Sequence, residues 1–219
     1  MLTLDAEGMS VTIVGGGAVA QRRGEALAAS GARLFVVAPE ISRALADAAE
    51  ASGGRVCRRA YQTEDLDTAQ LVVAATADPE LNRRIADEAE ARGLLVNCAS
   101  DPEAGRVGFV AERSVGDIRL GVETGGVSAA AAAAIANRLA EDLEQTDWAG
   151  VLEVARDWRP RIQQALPPGP ARQAALRELT GPAARQRFAQ GNAQALADFY
   201  ASLIEEKPSP APAPSGGER

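Results

Sequence analysis

Histidine is absent from all 219 residues, and with it go the commonest metal ligand and the usual general base near neutral pH. Any proton chemistry falls to carboxylates or other groups. Cysteine is nearly absent. Cys57 and Cys98 have no metal-type spacing and no extracellular context, and they read as free thiols in a reducing compartment. Positive charge is in deficit, with a formal net charge of −7, which argues against a general polyanion-binding surface and so against nucleic acid as a partner. A local Arg-lined pocket for an anionic small molecule stays compatible with that charge. No apolar run approaches the roughly 18 residues that span a bilayer, and Met1-Leu2-Thr3-Leu4-Asp5 is not a basic region followed by an apolar one. These absences point to a soluble cytoplasmic protein with no membrane partner.

What is present is apolar material, 46% of residues, enough for one large or two small domains. It is arranged as alternating strands and helices. Val11 to Val14 reads as a strand, Ala18 to about Ala29 as a helix ending at Ser30-Gly31, and Leu34 to Val37 as a second strand. The pattern continues with a helix near Ile41 to Ala51, strands at Arg55 to Arg59 and Leu71 to Ala75, a helix from Pro79 to Arg92, and a strand at Leu94 to Asn97. Near-continuous apolar strands alternating with helices predict an α/β fold, a Rossmann-type parallel sheet covered on both faces.

After Asp101-Pro102 the pattern changes. Val107 to Ala111 and Ile118 to Val122 read as two strands around a turn at Gly116-Asp117. Helices follow over Ser128 to about Gln145 and Trp148 to Leu166, with shorter ones after Pro170 and Pro182. The expected division is a dinucleotide-binding domain over 1–112, a segment over 113–147, a small all-helical C-terminal region over 148–206, and a disordered Pro-, Ser- and Gly-rich tail over 207–219.

Gly15-Gly16-Gly17-Ala18-Val19-Ala20 fits the dinucleotide fingerprint G-x-G-x-x-A, directly after a strand and at the start of a helix. Gly15 permits the tight turn and Gly17 lets the backbone approach a pyrophosphate. The amides that follow supply donors and a favourable dipole. NAD is the expected cofactor, with Glu40 as the nearest acid to the end of the second strand for a ribose hydroxyl. Glu40 fits equally a cap for the helix starting near Ile41, and Arg43 keeps NADP open. Thr76, among the small residues Ala74-Ala75-Thr76-Ala77, closes the fourth strand where open parallel sheets place ligands. Asp78-Pro79 reads as an N-cap with a first-turn proline.

Four segments in order carry a resemblance: Val-Gly-Gly-Gly-Ala-Val-Ala from Val14, Ala-Ala-Thr-Ala-Asp-Pro-Glu-Leu-Asn from Ala74, Val-Asn-Cys-Ala-Ser-Asp-Pro-Glu from Val96, and Glu-Thr-Gly-Gly-Val-Ser from Glu123. With these the chain resembles the precorrin-2 dehydrogenase family, the N-terminal part of siroheme synthases, closely over Leu2 to Leu143 and loosely beyond. The resemblance implies NAD-dependent oxidation of precorrin-2 to sirohydrochlorin on a homodimer, with 113–147 as the dimerisation segment. Some relatives also insert ferrous iron, which would enter as substrate; no metal-holding residues are expected in this chain.

By the same resemblance Asp101 falls where the family carries its active-site aspartate, although many relatives have the acid one position earlier, at Ser100 here. An aspartate in this setting also forms turns. Gly125, Gly126 and Ser128 precede a long helix whose amides suit a substrate carboxylate, while Ser128 alone suits an N-cap. The alanine run Ala129 to Ala134 suits a dimer seam or packing within the chain. Arg22, Arg23, Arg106 and Arg113 are cations placed to meet carboxylates or to stay solvated. A nucleotide-sensing Rossmann module and a Rossmann oxidoreductase for another substrate are the competing readings.

Overall fold

Strands that are apolar at every position need cover on both faces of their sheet, and here two helical layers supply it. The computed structural model describes residues 3–205, within two compact units divided between Phe109 and Val110. The tail expected over 207–219 lies outside the described residues.

In the first unit, β1 (Ser10–Val14), α1 (Ala18–Ala29), β2 (Arg33–Val37), α2 (Arg43–Ala51), β3 (Arg55–Cys57), β4 (Leu71–Ala74), α3 (Pro79–Ala91) and β5 (Leu95–Cys98) follow in order. All five strands are parallel, in the order β3-β2-β1-β4-β5. Successive residues serve opposite faces. Val11, Ile13, Leu71 and Val73 join Ala20 and Leu27 of α1 and Leu45 of α2, while Val14, Val72 and Ala74 join Ile85, Ala86 and Ala89 of α3. The chain leaves β1 towards β2 and β3, then returns to lay β4 and β5 on the other side. This reversal opens a crevice beyond the ends of β1 and β4.

The loop between β3 and β4 contains a 3-10 turn over Thr63–Leu66. Asp65, 5% exposed, holds it. Its carboxylate accepts from Arg59 Nη1 and Nη2 at 2.8 and 2.5 Å and from the Gln62 amide at 2.8 Å. Its carbonyl accepts from buried Thr12 Oγ1 at 3.0 Å, tying the loop to β1.

In the second unit β6 (Ala111–Val115) and β7 (Ile118–Val122) form an antiparallel ribbon against α4 (Ala129–Glu144). The strand expected over Val107 to Ala111 lies later than its apolar residues suggested. Val115 pairs with Ile118, so Gly116-Asp117 is a two-residue turn with Gly116 at φ +56°, and the partner strand must end at 115. Val107 instead lies beside β5, donating its N–H to Val96 at 3.1 Å and accepting from Asn97 Nδ2 at 2.5 Å.

Three further elements, α5 (Trp148–Ala165), α6 (Pro170–Glu178) and α7 (Pro182–Glu205), enclose Val151, Ile162, Leu179, Leu196 and Tyr200. Asp117 of the ribbon turn forms an ion pair with Arg156 of α5. The longest helical stretch is broken at Asn192, at φ +66°, whose side chain caps the second half by accepting from the Gln194 amide at 2.9 Å. No described helix is long and apolar enough to cross a membrane.

Two outcomes follow from these contacts. Tyr200 is fully buried and donates its hydroxyl to the Leu179 carbonyl. Tyr200→Phe strips that acceptor of its partner and should lower unfolding free energy by about 1–3 kcal/mol in urea titration. The Arg59 hydrogen bonds, followed by the Gln62 amide, hold the Asp65 carboxyl below its ordinary value against the opposing effect of burial. Its contribution is therefore complete above the unfolded-chain value of about 3.9 and is lost as pH falls through the lower folded value. Asp65→Asn should be less stable than wild type at pH 7 and should show a shallower loss of stability on acidification.

Candidate functional site

A strand that passes straight into a helix at a crowded sheet end has room only for a backbone without side chains. Gly15 has φ +125°, and a Cβ there would lie 2.2 Å from the Ala75 carbonyl oxygen. At Gly16 a Cβ would lie 1.9 Å from the Glu40 carbonyl oxygen. The turn is thus wedged between the chain leaving β4 and the chain leaving β2. Two hydrogen bonds fix it there: the Gly15 N–H to Val37 at 2.9 Å, and the Ser42 N–H to Gly16 at 3.1 Å.

Gly17 differs from both. A Cβ there would meet no protein atom within 4 Å, and its backbone angles, φ −84° and ψ −172°, suit any residue. Protein packing therefore does not account for its missing side chain. Gly17 is the N-cap of α1 without a side-chain cap, and the first turn contains no acid. The amides of Ala18, Val19 and Ala20 precede the first intrahelical bond, from Gln21 to Gly17, and remain free donors at the positive end of the helix.

These features border a cleft of about 680 Å³, within the range of small-molecule sites. Gly15, Gly16, Gly17, Ala18, Val19, Glu40 and Thr76, the seven expected cofactor positions, all line it. Glu40 does not cap α2. Ser42 does, accepting from the Leu45 amide at 3.3 Å, so the Glu40 side chain is not needed there. Arg43 is not among the lining residues and pairs with Asp47 at 3.7 Å on the exposed surface.

The floor at Thr76 is braced by a residue the sequence reading passed over. Asn82 is 1% exposed. Its Oδ1 accepts from the Thr76 amide and hydroxyl, both at 2.8 Å, and its Nδ2 donates to the Thr76 carbonyl at 3.1 Å and to Ser100 Oγ at 3.2 Å. One amide side chain thereby ties the loop after β4 to the loop after β5. The signal was available: Asn82 occupies the same face of α3 as Ile85, Ala86 and Ala89, a polar residue at a core position. Asp78 is the N-cap of α3, accepting from Glu80 and Leu81 amides, as its position before Pro79 predicted.

Ala60 and Tyr61 form a further wall, from the loop that Asp65 pins. The Tyr61 hydroxyl donates to Glu88 Oε2 at 2.7 Å, and burial, then this carboxylate, raise its pKa. No motif marks this wall.

Asp101 is not a lining residue; its neighbour Ser100 is. The Asp101 carboxylate accepts from Arg83 Nη1 at 2.7 Å and from the Glu103 amide at 3.0 Å, so it does form a turn. Gly125, Gly126 and Ser128 belong to the second unit. There Gly125 and Gly126 have φ +61° and +77°, Ser128 caps α4 by accepting from the Ala131 amide at 3.1 Å, and Thr124 Oγ1 accepts from the Ser128 amide at 3.1 Å.

The two glycines should separate on substitution. Gly17→Ala should leave the melting temperature unchanged and weaken NAD binding about tenfold or more by calorimetry, whereas Gly16→Ala, forced against the Glu40 backbone, should lower the melting temperature. Equal NAD affinity in Gly17→Ala would remove the ligand explanation of that residue.

Comparison with known proteins agrees with this geometry. Residues 2–111, half of the chain, match the NAD(P)-binding family NAD_binding_7. A siroheme synthase of Pseudomonas entomophila is 33% identical over 213 residues, covering 97% of this chain and 45% of the relative. A siroheme synthase of Chromobacterium violaceum is 38% identical over 160 residues, covering 73% of this chain and 34% of the relative. The chain thus spans less than half the length of these relatives. The solved structure of SirC, a precorrin-2 dehydrogenase, superposes with a TM-score of 0.74 at 26% identity, covering 94% of this chain and 99% of SirC. The glycine turn, the cleft beyond the parallel strands and these matches together show that the chain belongs to the NAD-binding family of precorrin-2 dehydrogenases and siroheme synthase N-terminal domains.

Proposed function

We propose that the chain oxidises precorrin-2 to sirohydrochlorin with NAD in siroheme synthesis, acting in the cytoplasm as a homodimer. The observation that carries this reading is Gly17, a cradle position left bare towards a cleft built for a dinucleotide, in a chain that matches nearly the whole of a precorrin-2 dehydrogenase.

In this reading Gly15 to Val19 hold the pyrophosphate through free amides. Glu40 accepts hydrogen bonds from a ribose and disfavours a 2′-phosphate by charge, which selects NAD over NADP. Thr76, held by Asn82, bounds the path of the dinucleotide. NAD supplies a hydride acceptor. The macrocycle loses a hydride and a proton, and the electron pair of the broken C–H bond leaves with the hydride. Asp101, held by Arg83 and the Glu103 amide, accepts the proton or orients the ring. In the second unit, Gly125, Gly126 and the Ser128-capped start of α4, which has no acid in its first turn, receive a substrate carboxylate.

We assign 113–147 to dimerisation and 148–206 to a helical domain. Support for the seam comes from Ala131, Ile135 and Leu139, which recur at every fourth position of α4 and are all exposed, Ile135 and Leu139 at 46% each. The proposal covers oxidation alone. Ferrous iron insertion is assayed separately, as siroheme formed from sirohydrochlorin without NAD.

Anaerobic incubation with precorrin-2 and each dinucleotide should give reduced cofactor in step with loss of precorrin-2, faster with NAD. Binding of NAD without its reduction would overturn the proposal in favour of a nucleotide-sensing module. Asp101→Ala should retain NAD affinity and lose on the order of a hundredfold or more in turnover; unchanged turnover would remove Asp101 from the mechanism.

A further inference from the structure

Among the described residues, three buried side-chain nitrogen or oxygen atoms have no hydrogen-bond partner: Nε and Nη1 of Arg23, and Oδ1 of Asn97. Both residues lie in the first unit. Arg23 stands on α1 beside the buried positions Ala20, Gly24 and Leu27. Its guanidinium lies 5.3 Å from the centre of the Phe109 ring. Asn97 lies on β5 between Leu95 and Ala99, both of which pack into the core that α1 covers, so it faces the same side of the sheet.

A cation in this position is unusual. Arginine cannot escape burial by losing its proton at any physiological pH, so a guanidinium withdrawn from water is normally paired. Arg59 shows the ordinary solution, with Asp65 against it. Arg23 has no carboxylate within ion-pair distance among the described residues, and Arg22 repels it, opposed by a smaller effect of Cys98. Burial, then Arg22, lower its pKa. The other arginines singled out in the sequence are accounted for. Arg113 bonds Asn137 Oδ1 and the Glu112 carbonyl, Arg106 stands 3.8 Å from Glu90, and Arg22 is exposed. Arg23 is only partly buried as a residue, and its Nη2, unlike Nε and Nη1, is not buried, so an anion meets the guanidinium at that nitrogen.

We infer that Arg23 is a recognition residue for a carboxylate of the tetrapyrrole substrate, with Phe109 as the apolar surface beside it; this rests on the function proposed above. The cofactor is a poorer candidate for the anion, because neither Arg23 nor Phe109 lines the dinucleotide cleft. A carboxylate at Nη2 would give the guanidinium a charge-assisted partner.

The test uses Arg23→Met, which keeps the length of the side chain and removes its charge. KM for precorrin-2 should rise about tenfold or more, while the dissociation constant for NAD stays unchanged. The ligand-free variant should melt no lower than wild type, because it loses an unpaired buried charge and not a structural ion pair. A porphyrin with free carboxylates should bind wild type more tightly than the variant, and its methyl ester should bind both alike. Wild-type turnover with an unchanged KM in the variant, or a lowered melting temperature, overturns the role of Arg23 alone. Absence of wild-type turnover with precorrin-2 overturns the function on which it rests, and equal binding of the acidic porphyrin by both proteins then overturns carboxylate recognition as well.

Discussion

Everything in the first unit that resembles a site depends on how closely the chain passes itself at Gly15 and Gly16. One glycine abuts the backbone leaving β4 and the other the backbone leaving β2, at separations no side chain tolerates. That contact brings three strand ends together and sends α1 away with its first amides free. The free amides at the start of α1 are here a by-product of packing. The sheet reverses direction between β1 and β4, the turn fills the gap, and the first amides of α1 are left at the edge of the cleft.

Two polar devices keep the walls of the cleft in place. Asn82 binds the loops after β4 and β5 through a single amide, and Asp65 binds the loop after β3 to β1 through Arg59, Gln62 and Thr12. Both are buried and fully engaged, so each fixes a geometry instead of merely filling space. Arg23 and Asn97 contrast with them in the same unit, because Nε and Nη1 of the first and Oδ1 of the second have no partner among the described residues. Where two buried groups are so carefully satisfied, the unsatisfied ones are the natural places to look for a ligand.

The second unit follows other rules. Its ribbon is covered by α4 on one face only, with Val115 buried and Glu112, Ser114 and Arg119 outward. Its helical part is organised around Tyr200, whose hydroxyl satisfies the end of α6 while its ring lies 6.1 Å from Trp158. The break at Asn192 lets what would be one 24-residue helix fold around that centre in two parts.

Periodicity and glycine placement were enough to determine the parallel sheet, the order of its elements and the glycine turn, because these features are local: a strand's two faces, a helix stop and a tight turn are each written within a few adjacent residues. The beginning of β6 was misjudged for a related reason. Apolar content drew the strand to Val107, but register across Gly116-Asp117 decided it. What only the tertiary structure decided is which distant residues meet. Asn82 beside Ser100, Ser42 displacing Glu40 as a cap, Tyr61 in the cleft wall and Arg23 without a counter-charge all depend on contacts between segments separated along the chain. Such partnerships leave no periodic trace, since a polar residue in sequence looks the same whether its partner is water, protein or ligand.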